Sequence, residues 1–126
     1  MPLKQLDHVN IRTNNLAEMV RWYSEVLGLH SGPRPDFPFG GAWMYLGDQP
    51  VVHLVEKQTD KMVGSEADLK LEHMAFSGDD LDGFKAKLNR LNIEFRTAEL
   101  PNMNVVQINI WDADKNHLHV DFNLDD

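Results

Sequence analysis

The chain carries one pattern twice. Leu6-Asp7-His8-Val9-Asn10 resembles Leu71-Glu72-His73-Met74-Ala75, with 65 residues separating His8 from His73. An internal repeat restricts architecture strongly, because each copy must fold as the same supersecondary unit. Both segments alternate polar and apolar residues, the period of a strand. A helical pattern follows each. Leu16, Met19, Val20, Tyr23, Val26 and Leu27 line one helix face in the first copy, and Leu81, Phe84, Leu88 and Leu91 do so in the second. At the same offset, Met19, Tyr23 and Val26 map onto Phe84, Leu88 and Leu91, so the register persists through both helices. Asn14-Asn15 and Asp79-Asp80 supply N-cap chemistry. Gly28 and Asn92 suit a left-handed residue past a helix end.

Three strand-like pieces follow each helix: His30 to Arg34, Ala42 to Leu46 and Val51 to Lys57, then Glu94 to Leu100, Val105 to Trp111 and His117 to Phe122. Turn residues separate them at 33–41, 47–50, 101–102 and 112–116. The polar, aperiodic stretch 58–68 reads as a linker. The expectation is therefore an α+β fold. Two βαβββ modules, 1–57 and 69–126, form a curled mixed sheet around a cavity with helices outside. At 126 residues this is a single domain by the usual size of about 100–200 residues.

Composition removes several function classes. There is no cysteine, which excludes disulfides, thiolate metal sites and thiol catalysis. The net charge of −8, with scattered Lys and Arg, argues against nucleic-acid binding. No apolar run approaches the roughly 20 residues that a membrane span needs. Met1-Pro2-Leu3-Lys4-Gln5 lacks the apolar stretch of a signal peptide, so a cytoplasmic location is the expectation.

Strand alternation orients the histidines. Val9 and Ile11 oppose His8, Asn10 and Arg12, and Met74 and Phe76 oppose His73, Ala75 and Ser77. The apolar sets should pack under the helices, leaving His8 and His73 on the concave side. His53 shares a face with Val51 and Val55. His117, His119 and Asp121 oppose the apolar Leu118, Val120 and Phe122. Four of the six histidines thus fall in two matched pairs, and His30 reads as surface. An isolated histidine is commonly a hydrogen-bonded lining residue. Four at matched places point to a divalent metal, for which imidazole is the commonest protein ligand.

The pattern resembles the vicinal oxygen chelate superfamily, which includes glyoxalase I, extradiol dioxygenases, fosfomycin-resistance thiol transferases and bleomycin-resistance proteins. The matching pieces are Leu6-Asp7-His8-Val9, Met19-Val20-Arg21-Trp22-Tyr23 through Leu27-Gly28-Leu29, Leu71-Glu72-His73-Met74-Ala75-Phe76, and Asp112-Ala113-Asp114-Lys115-Asn116. The resemblance implies one ligand from the first strand and one from the last strand of each module, here His8, His53, His73 and His119. It implies a small-molecule substrate with neighbouring oxygens, Fe, Mn, Ni or Zn as cofactor, and a homodimer. The chain departs from the pattern where it carries His119 in place of the usual Glu. His53 also stands where glyoxalase I often has Glu. The 2-His-1-carboxylate set is the usual Fe(II) oxygenase triad, and a glyoxalase-type isomerisation uses the metal-bound Glu as proton shuttle, so neither activity transfers directly.

Asp121 lies two residues beyond His119 on the same face, about 6–7 Å along the strand. It and His117 are the candidate catalytic acid–base groups. Phe37 and Phe39, in the aromatic loop 33–41, are candidate substrate contacts together with Asn10, Trp43, Tyr45 and Met103. Trp43 and Tyr45 alternate with Met44, and the sequence leaves open which set faces the cavity. Two readings follow. One is a metal-dependent enzyme of the dioxygenase, lyase or isomerase type. The other is a metal-free, bleomycin-resistance-type binding protein that holds a cationic aromatic ligand between aromatic side chains.

Overall fold

In each copy the first strand returns beside the last one through a helix, and the intervening strands follow by turns, so four strands make one mixed sheet. The computed structural model describes residues 5–57 and 71–125. The elements are β1 (Val9–Thr13), α1 (Leu16–Glu25), β2 (His30–Gly32), β3 (Gly41–Leu46), β4 (Gln49–Glu56), β5 (Met74–Gly78), α2 (Leu81–Arg90), β6 (Arg96–Leu100), β7 (Val105–Trp111) and β8 (His117–Asn123). The strand orders are β1-β4-β3-β2 and β5-β8-β7-β6, and neither sheet closes on itself. This is the α+β architecture of paired βαβββ modules that the repeat calls for. The chain divides into two compact units, Met1–Met62 and Val63–Asp126. The linker expected over 58–68 lies outside the described residues. Among the described residues no helix is long and apolar enough to cross a membrane.

The two sheets share one register. Val9 pairs with Val52 and Asn10 with His53 in parallel; Met74 pairs with Leu118 and Ala75 with His119 in the same way. Across the next ladder Trp43 faces His53, and Asn109 faces His119. The histidine of each last strand therefore sits in the middle of an equivalent three-strand row.

Alternation sets the core of each unit. In β3 and β4, Ala42, Met44, Val52 and Leu54 are buried beside Met19, Trp22, Tyr23 and Val26 of the first helical segment. This settles the face of β3: Met44 goes to the core, while Trp43 and Tyr45 point to the side of His53. In β7 and β8, Val106, Ile108, Ile110, Leu118, Val120 and Phe122 are buried, as is Leu88 of α2, and Phe84 of α2 meets Phe122 with ring centroids 5.6 Å apart. Each such aliphatic side chain contributes roughly 1.5–3 kcal/mol when fully buried. Val9, Ile11, Met74 and Phe76 are half-buried and their strand neighbours Asn10, Arg12, Ala75 and Ser77 exposed, as the pattern requires.

Several boundaries differ from expectation for local reasons. β2 stops at Gly32 because Pro33 cannot donate to a ladder. The β3–β4 turn is only Gly47-Asp48, with Gly47 at φ 62°, so Gln49 and Pro50 open β4. Pro50 has no N–H to give, and the register shifts between Met44 and Tyr45 opposite it. β1 and β5 begin one residue after His8 and His73, which places those histidines just outside the regular pleat. Asn15 caps α1 without a side-chain hydrogen bond; its own N–H donates to Thr13 Oγ1 at 2.9 Å. Asp80 does cap α2, accepting from Gly83 N–H at 3.1 Å. Gly28 (φ 74°) and Asn92 (φ 58°) both take the left-handed conformation anticipated for them.

Candidate metal centre

Module one brings its two histidines together as a stack. The His8 and His53 rings lie 3.8 Å apart at 9°, and Trp43 covers His53 at 4.1 Å and 12°. Nearly parallel rings aim their in-plane lone pairs side by side, so chelation by both would require one ring to turn out of the stack. His53 is buried, and its Nε2–H donates to the Pro50 carbonyl at 3.1 Å. Asp7 Oδ1 lies 2.7 Å from His8 Nδ1. That contact, followed by Gln49, holds the Asp7 carboxyl below the usual carboxylate range.

Burial pushes the His53 imidazole below its ordinary pKa of 6.5, and the nearby His8 adds to the effect. An unfolded chain takes up this proton more readily than the folded one. The stability tied to a neutral His53 is thus fully present above about pH 6.5 and is lost as the pH falls through the lower folded value. His53→Gln keeps a donor for Pro50 but removes the titration. Its melting temperature should decline less than the parent's between about pH 7 and pH 5. An equal decline in both proteins would contradict a neutral His53.

Module two gathers a different set. Potential ligand atoms of Glu72, His73 and His117 all lie within 4.8 Å of one another. The Glu72 carboxylate contacts both rings, through Oε1 to His73 Nδ1 and through Oε2 to His117 Nδ1 at 3.2 Å. Ligand atoms around one ion at about 2.0–2.2 Å sit roughly 3–4 Å apart, so small side-chain rotations complete the set. Two imidazoles and a carboxylate suit Fe, Mn, Ni or Zn. His119 lies beside this set, its ring 4.5 Å from that of His73. It is 6% exposed, and its Nδ1 is 2.5 Å from Asp121 Oδ1.

The walls of this cluster come from β7. Trp111 stacks on His117 at 5.0 Å and 15°, with the Arg96 guanidinium 5.1 Å over the indole. Asn109 Oδ1 accepts from His117 Nε2–H at 2.8 Å, and Asn109 Nδ2 donates to the Arg96 carbonyl at 3.3 Å. The turn ahead of β8 is built on Asp112, whose carboxylate accepts from the N–H groups of Asp114 and Asn116 and from Asn116 Nδ2, each at 2.9 Å.

The candidate substrate contacts are dispersed through the units. Asn10 is exposed beside His53 in register, and Trp43 is the lid of the histidine stack. Tyr45 donates its hydroxyl to the Pro33 carbonyl at 2.5 Å and stacks on His30 at 5.8 Å. Phe37 and Phe39 stack on each other at 5.0 Å, and Arg34 lies 5.1 and 5.4 Å over their rings. They remain 39% and 44% exposed, and Met103 is 65% exposed in the β6–β7 turn.

Sequence reasoning missed Glu72 and Asn109. A signal for Glu72 stood in the repeat itself, since Asp7-His8 and Glu72-His73 both place a carboxylate before the histidine.

Comparison with known proteins agrees with the architecture. The family model of the Glyoxalase/Bleomycin resistance protein/Dioxygenase superfamily matches residues 5–100. No curated protein matches the sequence. Among solved structures, a glyoxylase/bleomycin resistance protein/dioxygenase domain from Frankia sp. EAN1pec is 24% identical with a TM-score of 0.80, covering 96% of this chain and 98% of that one. Lactoylglutathione lyase from Agrobacterium tumefaciens is 19% identical with a TM-score of 0.73, over 97% and 96% of the two chains. A genomically encoded fosfomycin resistance protein from Listeria monocytogenes is 10% identical with a TM-score of 0.71, over 95% and 93%. At these identities the solved structures show a common fold, whereas the family match spans most of the sequence: the chain belongs to the glyoxalase/bleomycin resistance protein/dioxygenase superfamily.

Proposed function

We propose that this chain is a divalent-metal-dependent enzyme acting on a small molecule that presents neighbouring oxygens. The observation that carries the reading is the convergence of Glu72, His73 and His117 within 4.8 Å. Membership of a superfamily with metal-using enzymes supports it. A divalent ion held there would act as a Lewis acid, polarising a substrate carbonyl or diol oxygen and stabilising the oxyanion that results. His8 and His53, the counterparts of His73 and His119, are proposed as ligands from module one.

Asp121 is proposed to handle the proton through His119. Its Oδ1 takes the Nδ1–H of His119 at 2.5 Å, so Nε2 is the atom that receives a proton from the substrate. His117, the other candidate acid–base group, has both ring nitrogens engaged by Asn109 and Glu72, which suits holding an ion better than shuttling a proton. Asn10, Trp43, Tyr45, Phe37, Phe39 and Met103 are the proposed substrate contacts. The acting form is proposed as a cytoplasmic homodimer.

The metal-free reading has one observation in its favour, the Trp43–His53–His8 column, whose flat face would accept a cationic aromatic compound. A single experiment separates the two. Protein purified without chelators should carry, or take up from Fe, Mn, Ni or Zn, about one ion per chain, since a formed site binds tightly. The loaded protein should turn over one of three probes: the glutathione hemithioacetal of a 2-oxoaldehyde, fosfomycin with a thiol, or a catechol. A chain that binds none of the four ions, yet melts at a higher temperature with a cationic aromatic compound, is the binding protein instead.

A further inference from the structure

We propose that the ion of module two is held by Glu72, His73 and His117, that Asn109 sets the tautomer of His117 for this task, and that His119 stays outside the ligand set. The inference rests on the metal-dependent reading and specifies its donors. Family correspondence would assign the β8 ligand to His119. Here His119 is not among the groups whose ligand atoms converge within 4.8 Å, which are Glu72, His73 and His117. The chain also lacks the family's carboxylate at that place, and Glu72 supplies a carboxylate to the cluster from the segment just before β5.

The argument turns on hydrogen-bond direction. Asn109 gives its Nδ2–H to the Arg96 carbonyl, which fixes the amide and leaves Oδ1 facing His117 Nε2 at 2.8 Å. A carbonyl oxygen only accepts, so Nε2 carries the hydrogen and the neutral ring keeps its lone pair on Nδ1. That lone pair points at Glu72 Oε2, 3.2 Å away. A divalent cation placed there would be shared between this nitrogen and the Glu72 carboxylate. Glu72 meets His73 through its other oxygen, so one carboxylate links both imidazoles. Trp111, stacked on His117, holds the ring plane. This is the arrangement by which outer groups orient metal-ligating histidines, worth about tenfold to a hundredfold in metal affinity. Asn109 is thus a positioning residue.

The test uses the full chain, metal-free and isotope-labelled, and Zn²⁺ as the probe. At about pH 8, above the ordinary imidazole range, ¹H–¹⁵N spectra should show His117 with hydrogen on Nε2 and a bare Nδ1 whose resonance moves on adding Zn²⁺. Glu72→Gln should weaken Zn²⁺ binding about a hundredfold, and Asn109→Leu about tenfold to a hundredfold, with Asn109→Asp restoring it. His119→Asn should bind as the parent does; His119→Gln, closer to the imidazole in volume, repeats that test if His119→Asn fails to fold. Retention of Zn²⁺ in Glu72→Gln with its loss in His119→Asn would return the ligand to β8's buried histidine and overturn the proposal. So would a His117 that stays doubly protonated when Zn²⁺ is added, which marks an ion pair with Glu72 and no site. Unchanged affinity in Asn109→Leu removes the positioning role. A parent that binds none of Fe, Mn, Ni or Zn sinks the metal reading itself, whereas binding with a contrary variant pattern sinks only this ligand set.

Discussion

His73→Ala should abolish the metal binding proposed for this protein while leaving the fold standing. His73 bonds to Glu72 and lies against the rings of His117 and His119, so it contacts every other member of the cluster. A four-ligand zinc site is worth about 10–16 kcal/mol, so one ligand accounts for on the order of 3 kcal/mol, or roughly a hundredfold in affinity. The residue is exposed and lies just before β5, outside any ladder. Surface changes of that kind usually stay within about 0.5 kcal/mol of the parent's stability. Elemental analysis beside a melting curve reads both quantities. An unchanged metal content with an unchanged melting temperature would remove His73 from the site.

Asp112→Ala should have the largest effect on stability of any polar substitution in module two. The side chain is 2% exposed and accepts three hydrogen bonds that close the turn between β7 and β8. The turn also needs Lys115 at φ 70°, a conformation that a side chain adopts reluctantly and that the carboxylate helps to hold. Hydrogen bonds to a charged group are worth about 1.5–3 kcal/mol each, with partial recovery from water, so the loss should be about 3 kcal/mol. For a chain of this size that is a fall of about 10 °C in melting temperature. Asp112→Asn should lose less, because Oδ1 still serves the two backbone N–H groups while the new NH₂ opposes Asn116 Nδ2. If alanine and asparagine melt alike, the turn does not depend on the carboxylate. Since β8 starts immediately after this turn with His117, the alanine variant should also bind metal less tightly than its residual fold would suggest.

The repeat made most of the fold legible. Alternation in Val105 to Trp111 and in His117 to Phe122 separates core from site face residue by residue, because both strands are regular and carry their apolar side chains on one face. That same regularity places Asp121 within reach of His119 from the sequence alone. Glu72 was hidden for the complementary reason. A period of two would send it to the face opposite His73, but the period holds only inside a pleated strand, and β5 begins at Met74. Asn109 was hidden because its significance depends on cross-strand register, with Asn109 opposite His119 and Trp111 opposite His117. Register between distant segments is not written in either segment alone.

The equivalent rows across the two sheets, Asn10–His53–Trp43 and Ala75–His119–Asn109, have a consequence for how such a chain changes over time. One backbone address exists in duplicate, yet the neighbour of its histidine is an indole in one copy and an amide in the other. Duplication frees each half from mirroring its twin, so one can drift toward a flat aromatic wall while the other acquires a fixed dipole, with no loop rebuilt in either. Exchanging the two residues is therefore a compact transplant, and the chain is in effect its own library of alternatives for a single address.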